Sequence, residues 1–360
     1  MKKLVLSVFG LMSLGIFAQN YQFQNVIEVK STPVISQDKT GTCWSYATTS
    51  FFESEIIRMT GKQIDLSEMY NVRNTYLEKA ENYVMRQGAA QFSQGALAHD
   101  VLNSAAKYGL VPFEVFKGKD DSEEKHDHTE MEAALKGMLD AYTKTKKLSP
   151  KWKKAVNAVL DIYLGENPAE FMFEGKKYTP KSFMVYTKIN PKDYVSLTSF
   201  THNPFNESFI LNIPDNFSNG SFYNVPIDEL VKKVDNALAK GYTISLDCDV
   251  SEIGFSAKEG VAVVPVNAED KEKKFLKEIS EEIKVTQEFR QQEFENFNTT
   301  DDHLMHIIGK VKDQNGNIYY VVKNSWGSSG ERIGNNGYIY MSVPYLKLKT
   351  ISVTMHKDAL

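Results

Sequence analysis

The 360-residue sequence predicts an α+β fold, with helices over much of its length and strands toward the C-terminus. Two observations carry this expectation. Several stretches in the first two thirds repeat apolar residues at spacings of three and four, the helical period. Near the C-terminus, His306–Val311 and Ile318–Lys323 are β-rich runs on either side of a polar turn at Asp313–Asn317, which reads as a hairpin. A chain of this length is large enough to bury two lobes and a subdomain.

The elements follow in order. From Trp44 to Gly61, the residues Ala47, Phe51, Phe52, Ile56 and Met59 fall at helical intervals and Gly61 is the stop, so Cys43 sits at the first turn of a helix. The loop Phe92–Ala96 leads into a second helix, Leu97–Tyr108, ended by Gly109 before Pro112. Lys117–Thr129 is charged and reads as a solvated loop. Asp127 stands between His126 and His128, but no further ligand lies at metal-site spacing, so no metal is assigned. Met131–Thr143 and Trp152–Leu164 are helices with one buried face. Pro180–Val195 reads as a short helix and loop, and Pro204–Gly220 as loop or edge structure. Pro226–Lys240 is a helix closed by Gly241, followed by a strand, Tyr242–Leu246, that ends near a buried Cys248. Phe275–Phe294 alternates acids and bases and is expected to form an exposed helix.

The chemistry concentrates in three places. Gln37-Asp38-Lys39-Thr40-Gly41-Thr42-Cys43-Trp44 sets a glutamine six positions ahead of a cysteine at a helix start, where the dipole favours a thiolate. The Gln37 amide is placed to donate to a developing oxyanion. A cysteine nucleophile needs a base and a group that orients it. Asp302-His303 begins the first strand of the hairpin, and Asn324-Ser325-Trp326-Gly327 follows the second, so pairing brings His303 beside Asn324. His306 is the rival base; three positions on along a strand, it faces the opposite side from His303.

Together, Q-x5-C-W, D-x-H and K-N-S-W-G resemble the papain superfamily of cysteine peptidases. Thr40 stands where that family's signature has a further cysteine, and His303 lies about 260 positions beyond Cys43, not the usual ~130–150. Asn224–Asp228, Leu164–Pro168, Thr179–Phe183 and Asp247–Val250 resemble the bleomycin hydrolase, or aminopeptidase C, type, with similarity from about Pro33 to Lys357. The resemblance implies a papain-like fold whose α lobe carries the cysteine helix and whose β-sheet or barrel lobe carries the histidine and asparagine. It adds a helical insertion at about 117–225 within a 19–360 peptidase domain. It implies Cys43, His303 and Asn324 as catalytic residues, Gln37 at the oxyanion, and Trp326 and Asp302 as supports. Gln94 and Gly95 would bind substrate backbone. No cofactor or metal is implied, peptides are the substrates, and a homo-oligomer is the expected assembly. In that type a C-terminal arm enters the cleft and pairs with the substrate amine. Only His356–Leu360 follow the last strand here, so the expectation is an open cleft, with endopeptidase activity beside aminopeptidase activity. The counter-readings are a substitute gate from the insertion Lys117–Gly220, or a Leu360 that still just reaches the cleft.

Met1-Lys2-Lys3, the apolar run Leu4–Phe17 and Ala18-Gln19 form a signal-peptide pattern over residues 1–18, so export to the periplasm or medium is expected. No stable membrane insertion is expected after cleavage. The net charge of −4 gives no basis for nucleic-acid binding. Two cysteines make no disulfide framework. Two alternatives stay open: a catalytically silent peptide-binding module, against which retention of all four site residues counts, and a transpeptidase using the same thioester.

Overall fold

The computed structural model describes residues 20–360, and the leader expected at residues 1–18 lies outside the described residues. Helices α1 (Cys43–Thr60), α2 (Glu68–Met85), α3 (Ala98–Tyr108), α4 (Thr129–Thr143), α5 (Lys151–Leu164) and α6 (Pro180–Thr187) share one hydrophobic core. Gly61 closes α1 at a left-handed φ of 73°, its N–H on the Ile57 carbonyl, as the sequence requires of a C-cap glycine. The α2 helix was not anticipated. It buries Asn71, Arg73, Asn74 and Lys79 alongside Val72 and Tyr76, so polar residues interrupt the apolar stripe that would have announced it.

On the other side of the sheet α7 (Ile227–Ala239), α8 (Gln287–Glu295) and α9 (Val343–Lys349) cover a second core. The main sheet runs in the order β5 (Ser208–Ile210), β6 (Ser221–Asn224), β4 (Tyr194–Thr198), β13 (Thr350–His356), β7 (Ile244–Cys248), β10 (His303–Lys312), β11 (Ile318–Lys323), β12 (Tyr338–Ser342), β9 (Val261–Ala262), β8 (Phe255–Ser256). Strand β1 (Gln24–Glu28) joins the far half of β10, and β2 (Phe171–Phe173) and β3 (Lys176–Tyr178) make a separate hairpin. Alternation places successive residues in different cores: Leu304 belongs to the helical core, and Met305 and Ile307 to the other.

Register positions the site. On β10, His303 lies opposite Cys248 and Leu304 opposite Asp247, while Ser352 of β13 also lies opposite Asp247. The starts of β10 and β13 and the end of β7 therefore meet at one end of the sheet. The chain end lies at the other. Beyond His356, Lys240 Nζ donates to the carbonyls of Asp358, Ala359 and Leu360, and Lys357 pairs with Asp193 at 2.7 Å. Leu360 sits on α7, and the tail does not approach His303.

Residues 117–225 are woven into both parts. α4, α5 and α6 join the helical core, and β4 pairs with β13 in the main sheet. Two expectations fail. Phe275–Phe294 is not one exposed helix: only Gln287–Glu295 is α-helical, and residues 281–283 run extended, with Val266 N–H on Glu281 O and Ile283 N–H on Val264 O. Ile279, Ile283, Val285 and Thr286 weaken helix propensity there. Nor is α8 all exposed: Arg290 is 0% exposed and donates to the carbonyls of Ser199, Lys347, Leu348 and Thr350. The other failure is the 117–129 loop, where His126 and His128 are buried while Asp127 stays exposed beside Lys39. Charge content identified the loop but not which side chains it turns inward.

Candidate active site

Cys43 is the first residue of α1, and the turn begins as Ser45 and Tyr46 donate to the Thr42 carbonyl. The preceding loop is stitched to the segment after β11. Gln37 N–H donates to Ser325 O at 2.8 Å, and Gly327 N–H to Ile35 O at 3.2 Å. The buried Gln37 side chain is held at both ends. Its Oε1 accepts from Ser325 Oγ at 2.6 Å, and its Nε2 donates one hydrogen to Thr40 O at 2.6 Å. An amide nitrogen carries two hydrogens, so one remains for another acceptor.

The hairpin does bring His303 to Asn324: His303 Nε2 and Asn324 Oδ1 are 2.8 Å apart. The backbone N–H of Ser325 also donates to Asn324 Oδ1, at 2.7 Å. A backbone N–H can only donate, so this atom is the amide oxygen, and the imidazole must carry its hydrogen on Nε2. Nδ1 is then the ring's free acceptor. The Trp326 ring lies 4.7 Å from the His303 ring, centroid to centroid, and Phe255 backs it edge-on at 6.0 Å. Asp302 takes no direct bond from His303. Its carboxylate accepts from Ser251 N–H at 3.1 Å and Thr300 Oγ1 at 2.8 Å, tying the start of β10 to the end of β7.

The electrostatics differ from the expected thiolate. Cys43 is 8% exposed and His303 4% exposed. Burial pushes the Cys43 thiol up to about 12, helped by Asp301, Asp215 and Asp247, although the Leu304 backbone N–H at the sulfur pulls the other way. Burial likewise lowers His303 to about 4, against the opposing pull of Asn324 and Asp302. Among the described residues no hydrogen bond joins the sulfur to the ring. Both groups are uncharged in this closed geometry because desolvation outweighs the helix dipole.

His306 faces α1, as its parity predicts. Its Nδ1 is 2.9 Å from Ser50 Oγ, which also accepts from Lys323 Nζ at 2.8 Å. It belongs to a buried network that continues through Thr32 to Glu53, away from Cys43. Cys248 is a fully buried free thiol. The Gln94 side chain accepts from Gly41 N–H at 2.6 Å and donates to Glu132, while its carbonyl accepts from Trp44 Nε1 at 2.9 Å. Gly95 lies beneath Asp215: a Cβ there would collide with that carboxylate. Sequence reasoning missed Asp215, Asp247 and Asp301 as acidic groups that act on the cysteine, and Lys79 as the buried lysine on the Gly95 carbonyl. Asp301 and Asp247 stood inside quoted motifs, but nothing local in Asp215 or Lys79 marks a site.

Residues 16–360 match the Peptidase C1-like family. The chain belongs to that family. Aminopeptidase C of Listeria monocytogenes is 26% identical over 378 residues, spanning 92% of this chain and 82% of that protein. The mitochondrial cysteine proteinase 1 of Saccharomyces cerevisiae is 30% identical over 115 residues, 27% of this chain and 24% of that protein. The crystal structure of pepw from Lactobacillus rhamnosis HN001 superposes with a TM-score of 0.75 at 19% identity, covering 94% of this chain and 82% of that one, which shows a shared papain-like α+β fold. As a Peptidase C1-like protein, this chain is a cysteine-type peptidase and its substrates are peptides. Among the described residues no helix is long and apolar enough to cross a membrane.

Proposed function

We propose that the protein hydrolyses peptide bonds through a Cys43 thioester, with His303 as base and Asn324 as the group that orients it. The observation that carries this reading is the His303–Asn324 bond, which fixes the Nε2–H tautomer and leaves Nδ1 free at the end of the sheet that meets Cys43. Proton transfer from the thiol to Nδ1 turns two neutral groups into an ion pair, whose mutual attraction offsets part of the desolvation that holds each uncharged. The sulfur attacks the carbonyl carbon as the thiol proton moves to the imidazole. The oxyanion takes the remaining Gln37 Nε2–H and the Cys43 backbone N–H, an uncommitted donor of the first helical turn. The imidazolium then protonates the leaving amine, and water, deprotonated by His303, releases the acid and the thiol. Trp326 covers the His303–Asn324 bond, and Asp302 holds the strand that carries the histidine.

Aminopeptidase action is favoured over endopeptidase action because Asp215, inside the insertion, lies over Gly95. The carboxylate of Asp215 covers Gly95, a residue the resemblance assigns to substrate backbone. Export is part of the proposal, supported by the charge, length and exit of residues 1–18. An epoxide or vinyl-sulfone probe tests the chemistry. Labelling of Cys43 that disappears in Cys43→Ala, with cleavage of a fluorogenic peptide, is the expected result. Labelling that survives in Cys43→Ala, or that is found on Cys248, overturns the assignment. Formation of a new amide when a free amine is added in place of net hydrolysis identifies a transpeptidase.

A further inference from the structure

The net charge of −4 hides a strongly polarised stretch. From Ala141 to Leu160 there is no acidic residue, and six lysines stand there: Lys144, Lys146, Lys147, Lys151, Lys153 and Lys154. They occupy the end of α4, the turn that follows it and the start of α5, and all six are exposed. Lys153 pairs with Glu81 of α2 at 2.7 Å; among the described residues the other five form no ion pair. Asp140, the last acid before the stretch, is taken by Lys136 at 2.7 Å and by the Tyr83 hydroxyl at 2.5 Å. The same contacts fix where the stretch lies. Lys153 on Glu81 and Tyr83 on Asp140 align the last turns of α2 and α4 with the first turn of α5, so three helix ends share one face. That face also carries Arg86, whose Nε donates to Asn82 Oδ1 at 2.9 Å, and Met85, which is 67% exposed.

Fold stability does not account for this arrangement. A helix C-terminus favours cations, which suits Arg86 and Lys144 at the ends of α2 and α4. A helix N-terminus disfavours them, yet the first turn of α5 holds Lys151, Lys153 and Lys154 and no acid. Like charges crowded around one turn repel one another, and an anionic surface removes that repulsion. Met85 stands among the cations as an apolar side chain that can enter a headgroup boundary, the combination with which peripheral proteins hold membranes. Single-stranded nucleic acid would need rings to stack on. Here Trp152 is 5% exposed beneath Lys153, whose Nζ lies 5.6 Å from its ring centroid, and Tyr142 packs against the helical core. The face is also remote from the cysteine loop. Glu132, which holds Gln94 and through it Gly41, lies at the other end of α4, about 17 Å from Thr143 along the helix axis. A molecule seated on this face keeps its cleft clear of the surface.

We propose that the shared end of α2, α4 and α5 is a docking face for an anionic lipid surface, held peripherally by its lysines and Met85. Co-sedimentation with vesicles of phosphatidylcholine, alone or mixed with phosphatidylglycerol, tests it. The chain from Gln19 onward, the form that the proposed leader cleavage leaves, is used because an apolar leader would itself enter bilayers. The protein should bind the mixed vesicles at low salt, bind phosphatidylcholine alone far less, and be released at high salt. Each lysine at such a surface changes partitioning roughly fivefold, so the triple variant Lys146→Gln, Lys147→Gln, Lys151→Gln should bind on the order of a hundredfold more weakly. Removing as many charges elsewhere, by Lys192→Gln, Lys271→Gln and Lys312→Gln, should change binding by about twofold at most. All six positions are exposed, and thermal melts show that each variant is folded. Met85→Ser should weaken vesicle binding severalfold and leave retention on heparin, a soluble polyanion, unchanged. Equal binding to both kinds of vesicle overturns the proposal, as does a first triple variant that binds as well as the second. Retention on heparin or single-stranded DNA without vesicle binding overturns it too, and gives the face to a soluble polyanion.

Discussion

Replacing Asn324 with alanine separates the two jobs that one oxygen performs. Asn324 Oδ1 accepts from His303 Nε2 at 2.8 Å and from Ser325 N–H at 2.7 Å, in a site where Asn324 and His303 are both buried. Once His303 takes a proton, its bond to Asn324 becomes charge-assisted, worth about 1.5–3 kcal/mol. Losing it should lower kcat by roughly 10- to 150-fold, with a smaller change in KM, because the bond strengthens only as the imidazolium forms. The Ser325 N–H is left unpaired, which should cost about 1–3 kcal/mol of folding stability. Asn324→Asp distinguishes orientation from packing. It keeps an acceptor for both donors and adds a negative charge that favours the protonated ring, so it should recover much of the lost kcat. It should also move the acidic limb of the kcat profile upward in pH. The assays are steady-state kinetics on a fluorogenic peptide across pH and denaturant unfolding of each variant. A kcat for Asn324→Ala within twofold of the parent would refute the reasoning, as would an Asn324→Asp no better than the alanine.

Other outcomes are equally specific. His303→Ala should reduce turnover by several orders of magnitude, whereas His306→Ala should lower the melting temperature and leave the acidic limb of the pH profile in place; a dead His306→Ala beside an active His303→Ala reverses the assignment. Removing one hydrogen bond to the oxyanion, by Gln37→Ala, should lower kcat by about 10²–10³ with little change in KM, and an unchanged kcat removes Gln37 from that role. Lys323→Met strands the buried Glu53 carboxylate beside Thr32, so denaturant unfolding should show a loss of about 3–5 kcal/mol, and a neutral result would mean that water reaches that network. Burial depresses His128 to about 4, with His126 adding to the shift. Its stabilising contribution is therefore whole above the unfolded value near 6.5 and drains away as pH falls from there toward about 4, roughly 2 kcal/mol between pH 7 and pH 5. His128→Gln should lose correspondingly less stability over that interval, and an identical acid profile would count against buried, neutral His128.

Much of the architecture was legible because periodicity and punctuation agree with packing. The α1 boundaries follow from an apolar repeat and a stop glycine that adopts the left-handed conformation such a stop requires. The hairpin that joins His303 to Asn324 follows from two β-rich runs around a polar turn. Legibility failed where polar groups are buried in networks. Lys79, Asn71 and Asn74 blur the α2 stripe, and Arg290 turns a charge-rich segment inward because four backbone carbonyls solvate its guanidinium. His126 and His128 fold under a charged loop that composition reads as exposed. Asp215 is the plainest case: its position depends on a loop more than 100 residues from the glycine it covers, and a sequence pattern carries no signal for that.

The same long-range placement decides how the cleft is read. An open cleft was expected because few residues follow the final strand, and the described tail is indeed fastened to α7 through Lys240, at the end of β13 remote from His303. Yet the space over Gly95 is not free, since the Asp215 carboxylate fills it and three internal bonds of Asn216 close the loop that carries it. A closing element need not come from a chain terminus to restrict how far a peptide extends past the cysteine. It needs only enough anchoring to resist displacement by the substrate. Loosening that anchoring is then the informative perturbation. Asn216→Ala deletes a buried amide that serves two carbonyls and one N–H, so it should free the loop while leaving Cys43, His303 and Asn324 in place. Cleavage of N-acylated peptides should rise relative to free-amine peptides in this variant. If the ratio stays fixed while proteolysis shows the loop to be released, the loop does not set where the substrate ends.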